Sequence, residues 1–210
     1  RNAIIAEQAV GILDKYAPED KGMLDSFAGR EILTVEQYEA NAGQHDETMK
    51  KAYRLQELAK QIGENSAVIP KLEQQMEALA PWKSFDLPLD FKGTKKSVAF
   101  IGSIQEEISL EQLREQLGAL APEAETIDLN IVSSSKEQTC LFIVCAKGDA
   151  DAVEDALKKL NFVKPPLSSL VPAKRQQQLE EELSKVKAEI AGAEKAIADM
   201  APDRDSIKFV

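Results

Sequence analysis

Two segments of this chain repeat apolar residues at alternating spacings of three and four, which places them on one stripe of a helix, as in a coiled coil. The first seam, interrupted by the polar Asn65, comprises Leu55, Leu58, Ile62, Ile69, Leu72, Met76 and Leu79. The second comprises Leu179, Leu183, Val186, Ile190, Ala193, Ile197 and Met200. Strand and turn signals lie between the seams. The pattern therefore predicts an antiparallel coiled-coil hairpin of two long helices, tipped by a small lobe.

The rest of the chain can be divided around this hairpin. We predict a helix over 2–16 and a connection within residues 1–33, an outgoing helix over 34–81, a lobe over 82–167 and a returning helix within 168–210. Thr34 and Gln37 fit a capping box at the start of the outgoing helix. Pro70 lies inside that helix, and because the seam keeps its register across it, we expect a kink there and not an end.

The lobe reads as strand, helix, strand, strand, helix, strand. Strand patterns cover 97–103, 126–133, 139–146 and 161–164, and a capping box of Ser109 and Gln112 opens the first helix. Asp149 or Asp151 can cap the second helix. The predicted fold class is therefore α+β, with a ferredoxin-like βαββαβ lobe.

The third predicted strand is apolar on both faces, so both faces need cover. One face of the sheet would be covered by the two helices. The opposite face carries Cys140, Phe142 and Val144, which are candidates for a partner-facing surface. The linker aromatics between 82 and 91 or the helical arm could cover it instead.

Composition restricts the classes of partner. The formal net charge of −10 argues against nucleic-acid binding, because the phosphate term needs clustered Lys and Arg. The sequence has two cysteines, Cys140 and Cys145, which point to opposite faces of one strand and cannot bridge each other. No apolar run is long enough to span a bilayer. Since the sequence opens at Arg1 without Met, we expect it to be a piece of a longer protein.

No pattern in the sequence points to catalysis, a cofactor or a metal. There is no phosphate-binding loop of either common type. The single histidine, His45, falls on a helical seam, where packing explains it, and one His with two divergent Cys does not supply the converging ligands of a metal site. The carboxylate runs, such as Glu180 to Glu182, are typical of solvated helix faces. We therefore predict no enzyme activity and no small-molecule substrate.

The order of several short motifs resembles a known family. They are LDKYAPEDKG at residues 13–22, the helix end Ala80-Pro81-Trp82, the following FDLPL at 85–89, and GTKK at 93–96 before a strand. Together they look like subunit I of prokaryotic V-type (A/V-type) ATP synthases, the counterpart of the eukaryotic subunit a. The resemblance covers nearly the whole chain and is strongest over 55–200.

The resemblance implies the cytoplasmic N-terminal half of such a subunit, with residues 1–33 as the remnant of a proximal lobe and with the membrane half absent. It implies a non-catalytic stator role, at the cytoplasmic face of the cell membrane, in a rotary ATPase that moves H⁺ or Na⁺. The implied partners are the E and G subunits of the peripheral stalk, the C subunit near the base, and the protein's own membrane domain. Two alternatives remain open from the residues alone: a general cytoplasmic coiled-coil adaptor, and a small-ligand sensor that uses the ferredoxin-like lobe.

Overall fold

The computed structural model describes residues 2–20, 34–36 and 44–209. The chain divides into two compact units, one formed by Arg1–Pro70 with Ser184–Val210 and the other by Lys71–Leu183. We call them the helical unit and the lobe unit. The α-helices of the described residues are α1 (Asn2–Tyr16), α2 (His45–Leu79), α3 (Leu110–Leu120), α4 (Ala150–Lys159), α5 (Pro172–Asp199) and α6 (Arg204–Lys208). The strands are β1 (Ser97–Ile104), β2 (Asp128–Ser134) and β3 (Thr139–Ala146).

The helical unit is built around one apolar core. Its buried members come from α1, the first half of α2, the end of α5, and α6: Ala6, Ala9, Leu13, Ala52, Leu55, Leu58, Ile62, Ala193, Ile197 and Ile207. Polar contacts join the same elements, since Lys51 pairs with Asp203 and Asn65 donates to Glu189 at 3.2 Å. Lys51 precedes Asn65 along α2, whereas its partner Asp203 follows Glu189 in the chain. The two long helices therefore run antiparallel within this unit.

Three sequence predictions about the helices are confirmed and one lies outside the described residues. The first helix spans Asn2–Tyr16, and α2 continues through Pro70 to Leu79. A short 3-10 turn, Ala80–Trp82, follows and ends the helix where the sequence predicts an end. Of the predicted start, Val35 and Glu36 are helical, but Gln37 of the proposed capping box belongs to 37–43, which are not described.

The lobe unit contains an antiparallel three-stranded sheet in the order β1-β3-β2. Helices α3 and α4 cover one face, where their apolar residues Leu113, Leu117, Val153 and Leu157 join a core with alternate residues of β3. The capping box predicted at the start of α3 is confirmed, since Ser109 accepts from the Gln112 amide while the Gln112 side chain accepts from the Ser109 amide. The α+β class predicted from the sequence is therefore confirmed.

The fourth predicted strand is reduced to one residue pair. Val163 and Ser103 exchange both backbone hydrogen bonds at 2.8 Å, in an isolated antiparallel bridge beside β1. Extending this register places Pro165 opposite Ile101, the next position at which a pair would form. Proline has no N–H to donate, so a second pair that exchanges both hydrogen bonds cannot form there. The sequence prediction of a strand over 161–164 is wrong in length for this reason.

The sequence predicts that Asp149 or Asp151 caps α4, but the Asp149 side chain does not cap this helix. Asp149 occupies the N-cap position without a side-chain cap bond. Its carboxylate instead accepts from the Thr126 hydroxyl at 2.5 Å and from the amides of Thr126 and Glu125 at 3.0 and 3.2 Å. The side chain thus fixes the loop before β2, and the prediction is wrong because a tertiary partner outcompetes the local cap.

Candidate functional site

The seam residues of the long helices are all buried or half-buried. Within the helical unit, Leu55, Leu58, Ile62, Ala193 and Ile197 belong to the common core, with Ile190 and Met200 packed against it. Val186 is also buried, and Ile69 is half-buried. In the lobe unit, Leu72, Leu79 and Leu179 are buried, while Met76 and Leu183 are half-buried. Here the Arg175 guanidinium also donates to the Gln75 side chain at 3.4 Å. None of these seam residues is fully exposed to solvent.

The sheet face opposite α3 and α4, which we call the outer face, carries the three residues singled out in β3. Cys140 is fully buried, and Phe142 and Val144 are half-buried. The Phe142 ring meets the edge of Phe85 at a centroid distance of 5.1 Å and lies 6.4 Å from Phe91. The linker aromatics, one of the covers that the sequence leaves open, therefore lie over part of this face.

Two polar residues extend the outer face toward solvent. Asn130 lies opposite Phe142 and Asp128 opposite Val144 in the β2–β3 register, and both are exposed. Directly opposed residues of neighbouring strands share a face. Their exposure leaves a polar margin beside the aromatic cover, so this is where a partner could reach the outer face.

The titratable residues that could carry chemistry are dispersed or buried. Both cysteines are free, and burial raises the pKa of each thiol, an effect that a hydrogen bond with Ser133 partly offsets at Cys140 and that the Asp149 charge adds to at Cys145. A thiol with a raised pKa is a poor nucleophile. His45 lies at the start of α2, 3.6 Å from Asp46. Across residues 2–20, 34–36 and 44–209, no three His, Cys, Asp or Glu side chains converge as a metal site requires.

A cavity of about 380 Å³ lies at the free edge of β1, and none of the sequence patterns described above predicts it. Its walls include Leu89, Phe91, Phe100, Leu157 and Phe162, and Lys92, Lys158, Lys164, Asp90 and Glu154 also line it. The signal that could have revealed it is the proline at 165, which prevents the fourth strand from closing this edge.

None of the helices that the structure describes combines the length and the apolar character needed to cross a bilayer.

The described elements form an α+β fold. It has two long antiparallel helices and a small antiparallel sheet that helices cover on one face. No protein-family model and no curated protein matches the sequence. Among solved structures, the fold is similar to a crystal structure described as the cytoplasmic N-terminal domain of subunit I, homolog of subunit a, of V-ATPase.

That similarity has a TM-score of 0.51 at 16% sequence identity and covers 99% of this chain. The chain spans 65% of the length of the domain it matches. The resemblance to subunit I predicted from the sequence is thereby confirmed, and at this identity it establishes the fold.

Proposed function

We propose that this chain is part of the cytoplasmic half of a subunit I-like protein and acts as a non-catalytic stator component of a rotary V-type ATPase or ATP synthase. The observation that carries the proposal is the shared fold over 99% of the chain with a domain described as subunit I of V-ATPase. In this proposal the protein joins the membrane sector to the peripheral stalks, which are made of the E and G subunits, and meets the C subunit near its base. It resists rotor torque while ATP turnover is coupled to H⁺ or Na⁺ movement, at the cytoplasmic face of the membrane.

The two long helices suit a mechanical role. Helix α2 has 35 residues and α5 has 28, and at 1.5 Å per residue these correspond to about 50 and 40 Å of helix. Their seam residues are buried or half-buried, and Asn65 and Glu189 join them by a hydrogen bond. Paired helices resist bending better than single ones, which supports a coiled-coil arm that transmits force.

The proposed organisation keeps the domain limits drawn from the sequence. Residues 1–33 are the remnant of a proximal lobe, 34–81 and 168–210 are the arm, and 82–167 are the distal lobe. We propose that this lobe is a ferredoxin-like unit whose fourth strand has shrunk to the Val163 bridge. The sheet order β1-β3-β2, with that bridge on the other side of β1, supports this topology.

The outer face of the sheet is the surface we propose for the stalk. Of its strand residues Cys140, Phe142 and Val144, the half-buried Phe142 and Val144 keep some exposure, and the half-buried Phe91 lies beside them as part of the aromatic cover. The exposed Asp128 and Asn130 form its margin. An apolar centre with a polar margin is the usual anatomy of a protein interface.

A pull-down with a purified E/G stalk heterodimer tests this assignment. The full chain should retain the heterodimer, and the double variant Asp128→Arg with Asn130→Arg should retain much less, because two new cations occupy the margin. The matched control is Glu115→Arg with Gln116→Arg, which makes the same charge change at exposed positions of α3. Equal retention of the heterodimer by all three proteins would contradict a stalk-binding site on the outer face.

The other functions left open by the sequence predict different results. A general coiled-coil adaptor would not bind the stalk heterodimer at all. A small-ligand sensor is favoured by one specific observation, the cavity at the free edge of β1. Its ligand chemistry can be inferred separately from the stator role.

A further inference from the structure

The free edge of β1 holds a backbone donor and acceptor that no group of the described residues satisfies. The Ala99 amide donates to the Lys92 carbonyl at 2.9 Å, and Ser103 exchanges both bonds with Val163 at 2.8 Å. In a strand, alternate residues direct their backbone groups to the same edge, so Ile101 faces this edge as well. Within the part of the chain that the structure describes, its N–H and C=O have no partner there.

The unsatisfied residue opens onto the cavity. Ile101 and Pro165, which face each other in the extended register, both line it. The volume of about 380 Å³ lies within the range of small-molecule sites, about 300–1,000 Å³. The aromatic and aliphatic walls described above would accept an apolar side chain. A ligand here would thus take the place that a strand residue leaves empty beside Ile101.

The charges around the cavity have both signs. Lys158 pairs with Glu154 at 3.6 Å. Among the described residues, Lys92, Lys164 and Asp90 form no ion pair within 4 Å. Lys92 and Lys164 are exposed, while Asp90 is half-buried. The cavity therefore offers two free cations for an anionic group and one free carboxylate for a cationic group.

We propose that this cavity binds an apolar α-amino acid. The carboxylate would accept from the Ile101 amide beside Lys92 and Lys164, and the ammonium group would donate to the Ile101 carbonyl beside Asp90. The apolar side chain would lie against the aromatic wall. An α-amino acid fits because one α-carbon separates its ammonium donor from its carboxylate acceptor. One α-carbon likewise separates the N–H and C=O groups of the strand residue that it replaces. The proposal is independent of the stator role.

A titration of the full chain with L-phenylalanine or L-leucine, followed by its amide chemical shifts, tests whether the cavity binds an amino acid. We expect saturable shifts centred on the Ile101 amide. Phenylalaninamide lacks the carboxylate and 3-phenylpropionate lacks the ammonium group, and each should bind at least tenfold more weakly than phenylalanine. No saturable shift at Ile101 with either amino acid would overturn the proposal, and so would equal binding of the three phenyl compounds.

Matched variants separate the charges of the cavity from general effects. Asp90→Asn should weaken phenylalanine binding at least fivefold but leave 3-phenylpropionate binding unchanged, and Lys164→Gln should weaken both. The controls are Asp86→Asn and Lys136→Gln, which change exposed residues that do not line the cavity. The amide spectrum of each variant verifies folding. Controls that weaken binding as much as the cavity variants would contradict the site.

Discussion

The Arg204 guanidinium donates to the Ala17 carbonyl at 2.6 Å, which ties α6 to the end of α1. Arg204 is only 3% exposed, and its two terminal nitrogens also lie 3.5 Å from Asp14 and 3.2 Å from Glu19. A charged residue this deeply buried needs such partners, since an unpaired buried charge is strongly unfavourable. The contact therefore specifies how the last described helix packs within the helical unit.

Replacement of Arg204 by Met should lower the free energy of unfolding of the helical unit by about 2 kcal/mol, because a charge-assisted bond is lost. Chemical denaturation followed by circular dichroism measures this. Arg54→Met is the control, since the one ion pair of Arg54 among the described residues is the exposed pair with Glu57, and its loss should change stability by less than about 0.5 kcal/mol. Equal effects of the two variants would contradict the importance of the Arg204 contact.

Asn65 interrupts the apolar seam and binds Glu189 across the helices. Asn65→Leu should raise the free energy of unfolding by about 1 kcal/mol, because a half-buried polar group is replaced by an apolar one, while the helix register becomes less well defined. Denaturation gives the first result, and doubled amide signals from α2 and α5 would reveal the second. Gln61→Leu, at an exposed position of the same helix, should give no gain. A loss of stability in Asn65→Leu would show that the polar contact itself stabilises the pair.

Gly102 lies where β1 meets the short bridge to Val163. A Cβ at this position would come within 2.4 Å of the Val163 carbonyl and 2.5 Å of the Phe162 ring. Gly102→Ala should therefore destabilise the lobe unit by about 1–3 kcal/mol. Gly118→Ala is the matched control, since a Cβ there meets nothing within 4 Å and should stabilise α3 by up to about 1 kcal/mol. Fluorescence of Trp82, the single tryptophan of the sequence, follows the unfolding of this unit. Stabilisation by both substitutions would contradict the close packing at Gly102.

The Asp149 carboxylate has a lowered pKa because the Thr126 hydroxyl, then the amides of Thr126 and Glu125, donate to its charged form. A lowered folded-state pKa contributes stability that is fully present above the unfolded-state value, about 3.9, and is lost as the pH falls through the lowered value. Thr126→Val should raise the pKa of Asp149 toward its ordinary range. Carbon NMR titration of the carboxyl measures it, and the stability difference between the two proteins should shrink on acidification. An unchanged Asp149 pKa in the variant would contradict this cause.

The sequence predicted the elements that depend on local pattern. The heptad spacing located the long helices, the Ser109–Gln112 pair located the start of α3, and the continuous apolar run in 139–146 located β3. These succeed because periodicity and capping are set by residues close together in the chain. The seam keeps its register across Pro70, and this correctly predicted that α2 would continue through that residue.

The features that the sequence missed depend on contacts between distant segments. The Asp149 carboxylate accepts hydrogen bonds from the loop at Thr126 and not from its own helix. The buried Arg204 guanidinium depends on contacts with Ala17, Asp14 and Glu19, which are distant in sequence. The cavity is lined by Ile101 and Pro165, which would be opposite each other if the register of the Val163 bridge were extended, and this register is not visible in the sequence. Such pairings cannot be read from local pattern, because they are set by tertiary structure.

The most direct test of the stator role is calorimetric titration of the full chain with a purified E/G stalk heterodimer. The proposed role predicts saturable binding with a dissociation constant of about 1 μM or tighter, equivalent to about 8 kcal/mol. Absence of measurable heat across several temperatures, at concentrations far above that value, together with no retention in a pull-down, would contradict it.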